Sequence, residues 1–142
     1  MIAVDTNVLV YAHRADAPEH ERAVSAVERL ASDGAAWGLP WPVAHEFVKV
    51  MTGISWRPAP LDVTLRMLRR LLDAPGCVPM GEGADHVTRL ETLAVAGRAT
   101  GSLVYDARIA AICLDHGVTE LWTADRDFGR FPQLRTINPL VG

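Results

Sequence analysis

The sequence predicts an α/β protein, a three-layer α/β/α arrangement in which helices flank a mostly parallel central sheet. Short apolar runs of strand length alternate with longer segments of helical periodicity, which is the pattern of repeated strand–helix–strand units. Two of the apolar runs end in an aspartate. The length of 142 residues suits one domain over 1–142, large enough to bury a sound core.

In the first half of the chain, helix boundaries are marked by proline and glycine. Pro18 stands where a helix tolerates proline, in its first turn, and Gly34 stands where a helix ends. The predicted elements of this half are a strand Ile2–Asp5, a short helix Asn7–Arg14, a helix Pro18–Ser32, a strand Ala36–Leu39 and a helix from Pro42 that ends near Gly53.

The second half repeats the alternation. Pro75 and Gly76 stop one helix, and Gly117 stops another. The predicted elements are a helix Pro60–Ala74, a strand Cys77–Met80, a helix Ala84–Ala96, a helix Leu103–His116, a strand that reaches Ala124 and a last strand Leu134–Ile137.

Composition excludes several classes of protein. No apolar run approaches the roughly 18 residues of a membrane span, and no basic segment precedes the first apolar run as in a secretory signal. Cys77 and Cys113 do not have the spacing of a zinc site or a disulfide framework. We therefore expect a cytoplasmic protein without membrane contact. The net charge of −3 decides little about nucleic acid, because four acids of one metal site would account for it.

Four acidic residues stand where a folding argument favours neutral ones. Asp5 and Asp125 follow apolar strands, and the carboxyl ends of parallel strands are where such sheets bind ligands. Counted at about 100° per residue, Glu46 falls between Val43 and Val50 on a helical apolar stripe. Asp106 falls on the stripe of its own helix in the same way. Carboxylates are rarely buried unless they are paired or hold a metal, so the four acids predict one site for hard divalent cations.

Each acid also has a purely structural interpretation. Asp5 could cap the helix that follows it, and Asp125 and Asp127 could be turn residues. Glu46 could pair with an arginine, and Asp106 could interact with the dipole of its helix N-terminus. For all four to be structural at once is much less expected than for any one alone.

The four acids lie in segments that resemble PIN domains, and among them the VapC-like ribonuclease toxins of prokaryotic toxin–antitoxin pairs. The likeness extends over nearly the whole chain, in matching order and spacing. The segments that carry it are Val4-Asp5-Thr6-Asn7-Val8-Leu9-Val10, the helix with Glu46, Tyr105-Asp106-Ala107-Arg108-Ile109-Ala110-Ala111 and Leu121-Trp122-Thr123-Ala124-Asp125-Arg126-Asp127-Phe128.

The resemblance implies a metal-dependent endoribonuclease that hydrolyses RNA and acts as a toxin. It implies that Asp5, Glu46, Asp106 and Asp125 bind Mg²⁺ or Mn²⁺, with Thr6, Asn7 and Thr123 as supporting polar residues. Asp127 is the substitute for Asp125 if the latter points away. As partners the resemblance implies RNA, a homodimer and a cognate antitoxin whose C-terminal segment reaches the acids. For that segment we expect an apolar groove walled by the helices Pro18–Ser32 and Pro60–Ala74.

The chemistry of the residues agrees with that implication. Divalent cations activate water and neutralise charge on a phosphodiester, and magnesium prefers carboxylate oxygen to thiolate. Without a cation the acids repel one another, so their pKa values should be raised.

Two other functions are open to test. A phosphatase of the haloacid dehalogenase type needs a second Asp two positions after the first, and here that position is Asn7. A catalytically inactive PIN-fold interaction module is expected to lack at least one acid, and this chain carries all four.

Other motifs have ordinary structural interpretations. We expect the leucine stripe of the helix Pro60–Ala74 to face mainly the core, its arginines to be solvated, and the tryptophans to pack the core or edge a groove. The stripe is Leu61, Leu65, Leu68 and Leu72, the arginines are Arg66, Arg69 and Arg70, and the tryptophans are Trp37, Trp41 and Trp56.

Overall fold

The computed structural model describes residues 1–142, which form five strands, six α-helices and one short 3-10 helix. The strands are β1 (Ile2–Val4), β2 (Trp37–Pro40), β3 (Cys77–Met80), β4 (Glu120–Trp122) and β5 (Arg135–Ile137). The helices are α1 (Thr6–Ala12), α2 (His20–Ser32), α3 (Trp41–Gly53), α4 (Leu61–Asp73), α5 (His86–Gly97) and α6 (Leu103–Asp115), and the 3-10 helix is Arg126–Arg130. Every predicted element is present, with boundaries displaced by about two residues at most.

The sheet is parallel throughout, and its strand order is β3-β2-β1-β4-β5. The chain moves outward from β1 through β2 to β3 and then crosses back to β4 on the other side of β1. Parallel crossovers are right-handed, so this reversal places the helices before and after it on opposite faces of the sheet. The predicted α/β fold with a parallel central sheet is confirmed. In such sheets the ligand crevice lies at the reversal, here between β1 and β4.

The core lies on both sides of the central strands. Ala3, Val4, Leu39 and Leu121 are fully buried, and large aromatic side chains complete the packing. Those aromatic residues are Trp37, Phe47, Phe128 and Phe131. Burying a large apolar side chain contributes about 1.5–3 kcal/mol, so this packing fixes the strand ends that bear the acids.

The leucine stripe of α4 does not face the core as expected. Leu61 and Leu65 are exposed, and the buried residues of the helix are Thr64 and Leu71. Leu68 and Leu72 are half-buried, so only the second half of the stripe contacts the core. None of the helices is both long and apolar enough to cross a bilayer.

Candidate metal centre

The carboxyl ends of β1 and β4 bring residues from opposite ends of the chain together. Val4 lies beside Trp122 in the sheet register, and the Asp5 amide donates to the Trp122 carbonyl at 2.9 Å. The chain then enters α1 at once, since Asp5 Oδ1 accepts the Thr6 amide at 2.8 Å and caps the helix. Asp5 is therefore held from both sides and is only 5% exposed.

The second oxygen of Asp5 is held by side chains. The Thr123 hydroxyl donates to Asp5 Oδ2 at 2.7 Å, and Asn7 Nδ2 donates to the same oxygen at 3.2 Å. Asn7 Oδ1 in turn accepts the Ala124 amide at 3.1 Å. The turn after β4 is thus tied to the start of α1. The Asp125 amide donates to Thr123 Oγ1 at 3.0 Å, so one hydroxyl links Asp5 to the backbone of Asp125.

Two helices bring the other acids to the same place. Asp106 lies in the first turn of α6 and is half-buried, as a position on the apolar stripe predicts. Glu46 lies in α3 and is exposed, so the prediction that it lies on the buried face is wrong. The core face of α3 is formed by Val43, Ala44, Phe47 and Met51.

All four predicted acids, Asp5, Glu46, Asp106 and Asp125, line one cavity of about 630 Å³. Carboxylate oxygens of Asp106, Asp125 and Asp127 lie within 4.8 Å of one another. None of these carboxylates lies within 4.0 Å of a basic nitrogen, so the ion pair considered for Glu46 is absent. The site therefore concentrates negative charge without a protein counter-ion.

Burial, together with the neighbouring negative charges, raises the pKa of two of these carboxylates. Burial raises the pKa of Asp5 to about 6, against the hydrogen bonds from Thr123 and Thr6 that lower it. Burial also raises the pKa of Asp106 to about 7, and the negative charge of Asp125 is the next cause. The negative charges of Glu46 and Asp125 add to the shift of Asp5, and those of Asp5, Asp127 and Glu46 add to the shift of Asp106. A cation among these oxygens would remove the cause of the repulsion.

Asp125 and Asp127 differ in position. Asp125 is half-buried and lines the cavity that contains Asp5, whereas Asp127 is exposed and does not line it. The Asp127 amide donates to Asp125 Oδ1 at 2.9 Å, which caps the 3-10 helix. The capping interpretations of Asp5 and Asp125 are thus correct in their geometry. Each cap uses one oxygen of its carboxylate, so capping does not exclude a second role.

Trp56 edges this cavity, as one of the two interpretations of the tryptophans predicts, whereas the other apolar residues of the wall were not predicted as site residues. Val10, Val50, Ile54 and Trp56 form an apolar side. No residue of α4 lines the cavity, so the predicted wall from Pro60–Ala74 is absent. The signal in the sequence was a helical spacing of four, since Val50 follows Glu46 by four residues and Ile54 follows Val50 by four.

The buried Arg14 holds the loop that contains Trp56. Its guanidinium forms a bidentate pair with Asp16, at 3.1 and 2.9 Å, and donates to the Arg57 carbonyl at 2.6 Å. Nothing in the local sequence pattern predicts this contact, because it joins residues 43 positions apart.

The protein has a parallel α/β sheet and an acidic cavity where the strand order reverses. Comparison with known protein families shows which class has this arrangement. The model of the PIN domain family matches residues 2–134 of this chain. The chain belongs to the PIN domain family.

Within that family the chain is similar to VapC ribonucleases over its whole length. It is 39% identical over 144 aligned residues to VapC ribonuclease Mb2897 of Mycobacterium bovis and to ribonuclease VapC43 of Mycobacterium tuberculosis. These alignments cover 100% of this chain and 97% of each relative. Ribonuclease VapC48 of Mycobacterium tuberculosis is 33% identical, with 97% of each chain covered.

Solved structures share the fold. VapBC2 from Rickettsia felis, bound to a DNA fragment from its promoter, matches with a TM-score of 0.72 at 20% identity, over 97% of this chain and 98% of that chain. The sarcin-ricin loop cleaving toxin VapC20 of Mycobacterium tuberculosis matches with a TM-score of 0.67 at 18% identity, over 91% and 93%.

Proposed function

We propose that this protein is a metal-dependent endoribonuclease that hydrolyses RNA phosphodiester bonds and acts as the toxin of a toxin–antitoxin pair. The observation that carries the proposal is the set of four carboxylates that share one cavity and have no basic partner. The full-length similarity to VapC ribonucleases supports both the reaction and the toxin role. We take residues 1–142 as one PIN-like domain that acts in the cytoplasm.

The metal is proposed to be Mg²⁺ or Mn²⁺, held by Asp5, Glu46, Asp106 and Asp125. The donor set fits, because it offers carboxylate oxygens and neither free cysteine lines the cavity. When bound, such a cation would lower the pKa of a water and neutralise charge on the phosphate.

The chain's own groups orient these ligands. Thr123 and Asn7 donate to Asp5 Oδ2 and so fix the plane of that carboxylate. Thr6 supports the arrangement through its amide, which is bonded to Asp5 Oδ1. Asp127 is proposed as a supporting carboxylate on the solvent side of Asp125, since its oxygen lies within 4.8 Å of Asp106 and Asp125.

The two other functions receive less support. Asn7 uses its side chain to join Asp5 to the Ala124 amide, and an amide cannot serve as the general acid of a haloacid dehalogenase-type phosphatase. An inactive interaction module would have no need to keep four mutually repelling carboxylates in one cavity.

Cleavage of RNA by purified protein tests the nuclease proposal. We expect cleavage in Mg²⁺ or Mn²⁺, loss of cleavage in chelator, and loss in Asp5→Asn. Asp33→Asn is the matched control, because Asp33 is exposed, forms no ion pair and lies outside the site. Cleavage that persists equally in chelator and in Asp5→Asn would contradict the proposal.

Regulation by an antitoxin is proposed at the same cavity. Asp5, Asp16, Glu19 and the other carboxylates lie beside an apolar wall, which suits a basic, amphipathic protein segment. We expect a homodimer by light scattering, and suppression of cleavage by the product of the adjacent gene. A monomer at micromolar concentration that the neighbour does not bind would contradict the toxin role and leave the nuclease proposal standing.

A further inference from the structure

Two cavities meet at the acids. Glu46, Asp106 and Asp125 line the 630 Å³ cavity with the apolar wall and also a second cavity of about 580 Å³. The second cavity, here called the polar cavity, contains His45, Lys49, Ser102, Tyr105 and Arg108 as well as Asp127. The carboxylates therefore stand on a shared wall between two surfaces of different chemistry.

The helical spacing of α3 explains the difference. At about 100° per residue, Lys49 lies ~60° from Glu46 on one side, and Val50 lies ~40° away on the other. His45 is one turn before Lys49 and shares its side of the helix. The polar cavity thus receives the basic edge of α3, whereas the other cavity receives its apolar edge.

The available positive charge differs in the same way. Lys49 is the only lysine of the chain, is exposed and forms no ion pair. In the other cavity the only basic side chain is Arg14, which is buried and already bonded to Asp16 and Arg57. An RNA strand needs cations for its phosphates, so charge favours the polar cavity as its path.

An aromatic ring completes the polar cavity. Tyr105 precedes Asp106 on α6 and is 68% exposed, and no hydrogen bond engages its side chain. An exposed ring next to a phosphate-cleaving centre is suited to stacking with an unpaired base. Arg108, on the same helix, is paired with Glu82 and so leaves Lys49 as the unpaired strong base.

We propose that a single RNA strand reaches the acids through the polar cavity, with a phosphate next to the scissile one on Lys49 Nζ and an adjacent base on the Tyr105 ring. This inference rests on the proposed ribonuclease function. It assigns Lys49 and Tyr105 to substrate binding and leaves the 630 Å³ cavity with the apolar wall to a protein partner.

The test for Lys49 is the salt dependence of binding. In an Asp106→Asn background, affinity for a labelled single-stranded RNA of mixed sequence is measured by anisotropy at several monovalent salt concentrations. Lys49→Gln should weaken binding several-fold at low salt and reduce the slope of log affinity against log salt by about 0.7, the contribution of one phosphate contact. Lys49→Arg should retain the slope. Arg69→Gln, which removes an exposed charge on α4, should change neither quantity.

The test for Tyr105 compares the two cavities. Tyr105→Leu should raise KM for RNA about 10-fold with little change in kcat, and Tyr105→Phe should behave as the wild type, because stacking needs the ring and not the hydroxyl. Trp56→Leu removes the exposed aromatic of the other cavity and should leave KM unchanged.

A larger rise of KM in Trp56→Leu than in Tyr105→Leu, or an unchanged salt slope in Lys49→Gln, would overturn the proposed path. The binding measurement does not need cleavage. Failure of the wild type to cleave RNA would therefore count against the proposed function, whereas the binding results would still test the proposed path of the RNA. If Lys49→Gln instead weakens only the antitoxin complex, the polar cavity is a protein-binding surface and the proposal is wrong.

Discussion

The Thr123 hydroxyl lies 2.7 Å from Asp5 Oδ2 and joins the ends of two neighbouring strands, although the two residues are 118 positions apart in the chain. It also accepts the Asp125 amide at 3.0 Å. One hydroxyl therefore orients a proposed metal ligand and the backbone of a second. Groups that orient metal ligands typically contribute 10–100-fold to metal affinity or activity.

Thr123→Val should reduce RNA cleavage about 10–100-fold, because valine keeps the shape but cannot donate to Asp5. Thr123→Ser should recover most of the activity. Thr119→Val is the control, since Thr119 is exposed just before β4 and its hydroxyl forms hydrogen bonds only with Met1. Initial rates at several metal concentrations measure the effect. Equal activity of Thr123→Val and wild type would contradict the orienting role.

Asp106→Asn should lower cleavage by at least about 100-fold while leaving the fold intact, because the amide loses the charge that a hard cation needs. Without metal at pH 8 the variant should melt at a higher temperature than the wild type, since repulsion within the cavity falls. Cleavage assays and thermal melts in chelator measure the two effects. Asp33→Asn, which changes an exposed acid outside the cavity that forms no ion pair, should show neither. A metal-free variant that is less stable than wild type would indicate a structural role for Asp106.

Asp125→Asn and Asp127→Asn should differ in severity. Asp125 lines the cavity that contains Asp5, and Asp127 is exposed outside it. We expect Asp125→Asn to abolish cleavage and Asp127→Asn to reduce it about 10-fold or less, as for a supporting group. The ratio of their kcat/KM values shows which aspartate is the fourth metal ligand. A more severe effect of Asp127→Asn would assign that role to Asp127.

The raised pKa of Asp106 predicts how the stability of the metal-free protein depends on pH. The folded-state pKa of Asp106 is about 7 against an ordinary value of 3.8, so folding favours the protonated acid. Its contribution is fully present below the ordinary value and is lost as pH rises through about 7. The stability of the wild type relative to Asp106→Asn should therefore fall between about pH 4 and 7 and change little above that.

Urea unfolding in chelator at several pH values measures that difference. A difference independent of pH would contradict the raised pKa of Asp106. Metal affinity should change in the opposite sense, rising over the same interval, because the ligand must lose its proton before it binds.

The sequence was sufficient for the element order and for the meeting of Asp5 with Asp125, because strand ends are local patterns and parallel topology brings them to one edge. The apolar periodicity of α3 wrongly predicted that Glu46 lies on the buried face of the helix. Helix α3 is apolar on more than one side, with Val48 and Val50 half-buried beyond the core face, so periodicity could not identify the face that packs inward. The prediction that the leucine stripe of α4 faces the core was wrong for its first half, since Leu61 and Leu65 are exposed and the buried residues of the helix are Thr64 and Leu71.

Contacts between distant segments were beyond the local patterns. The hydrogen bonds of Thr123 and the clamp that Arg14 forms on the Trp56 loop depend on tertiary register and not on spacing within an element. The basic edge of α3 was readable in principle, because Lys49 follows Glu46 by three residues. That Lys49 shares a cavity with Tyr105 and the acids could not be predicted from spacing, because the cavity is formed by segments that are distant in the sequence.

The order of the strands has a consequence for synthesis of the protein. β1 is made before its neighbour β4, and β4 and Asp125 are made only after β2, β3 and all six α-helices. A nascent chain that has folded as far as β3 lacks both Asp106 and Asp125 and cannot hold the proposed metal. Nuclease activity should therefore arise only after Asp125 has been translated, and fragments that terminate before it should be harmless to the cell that makes them.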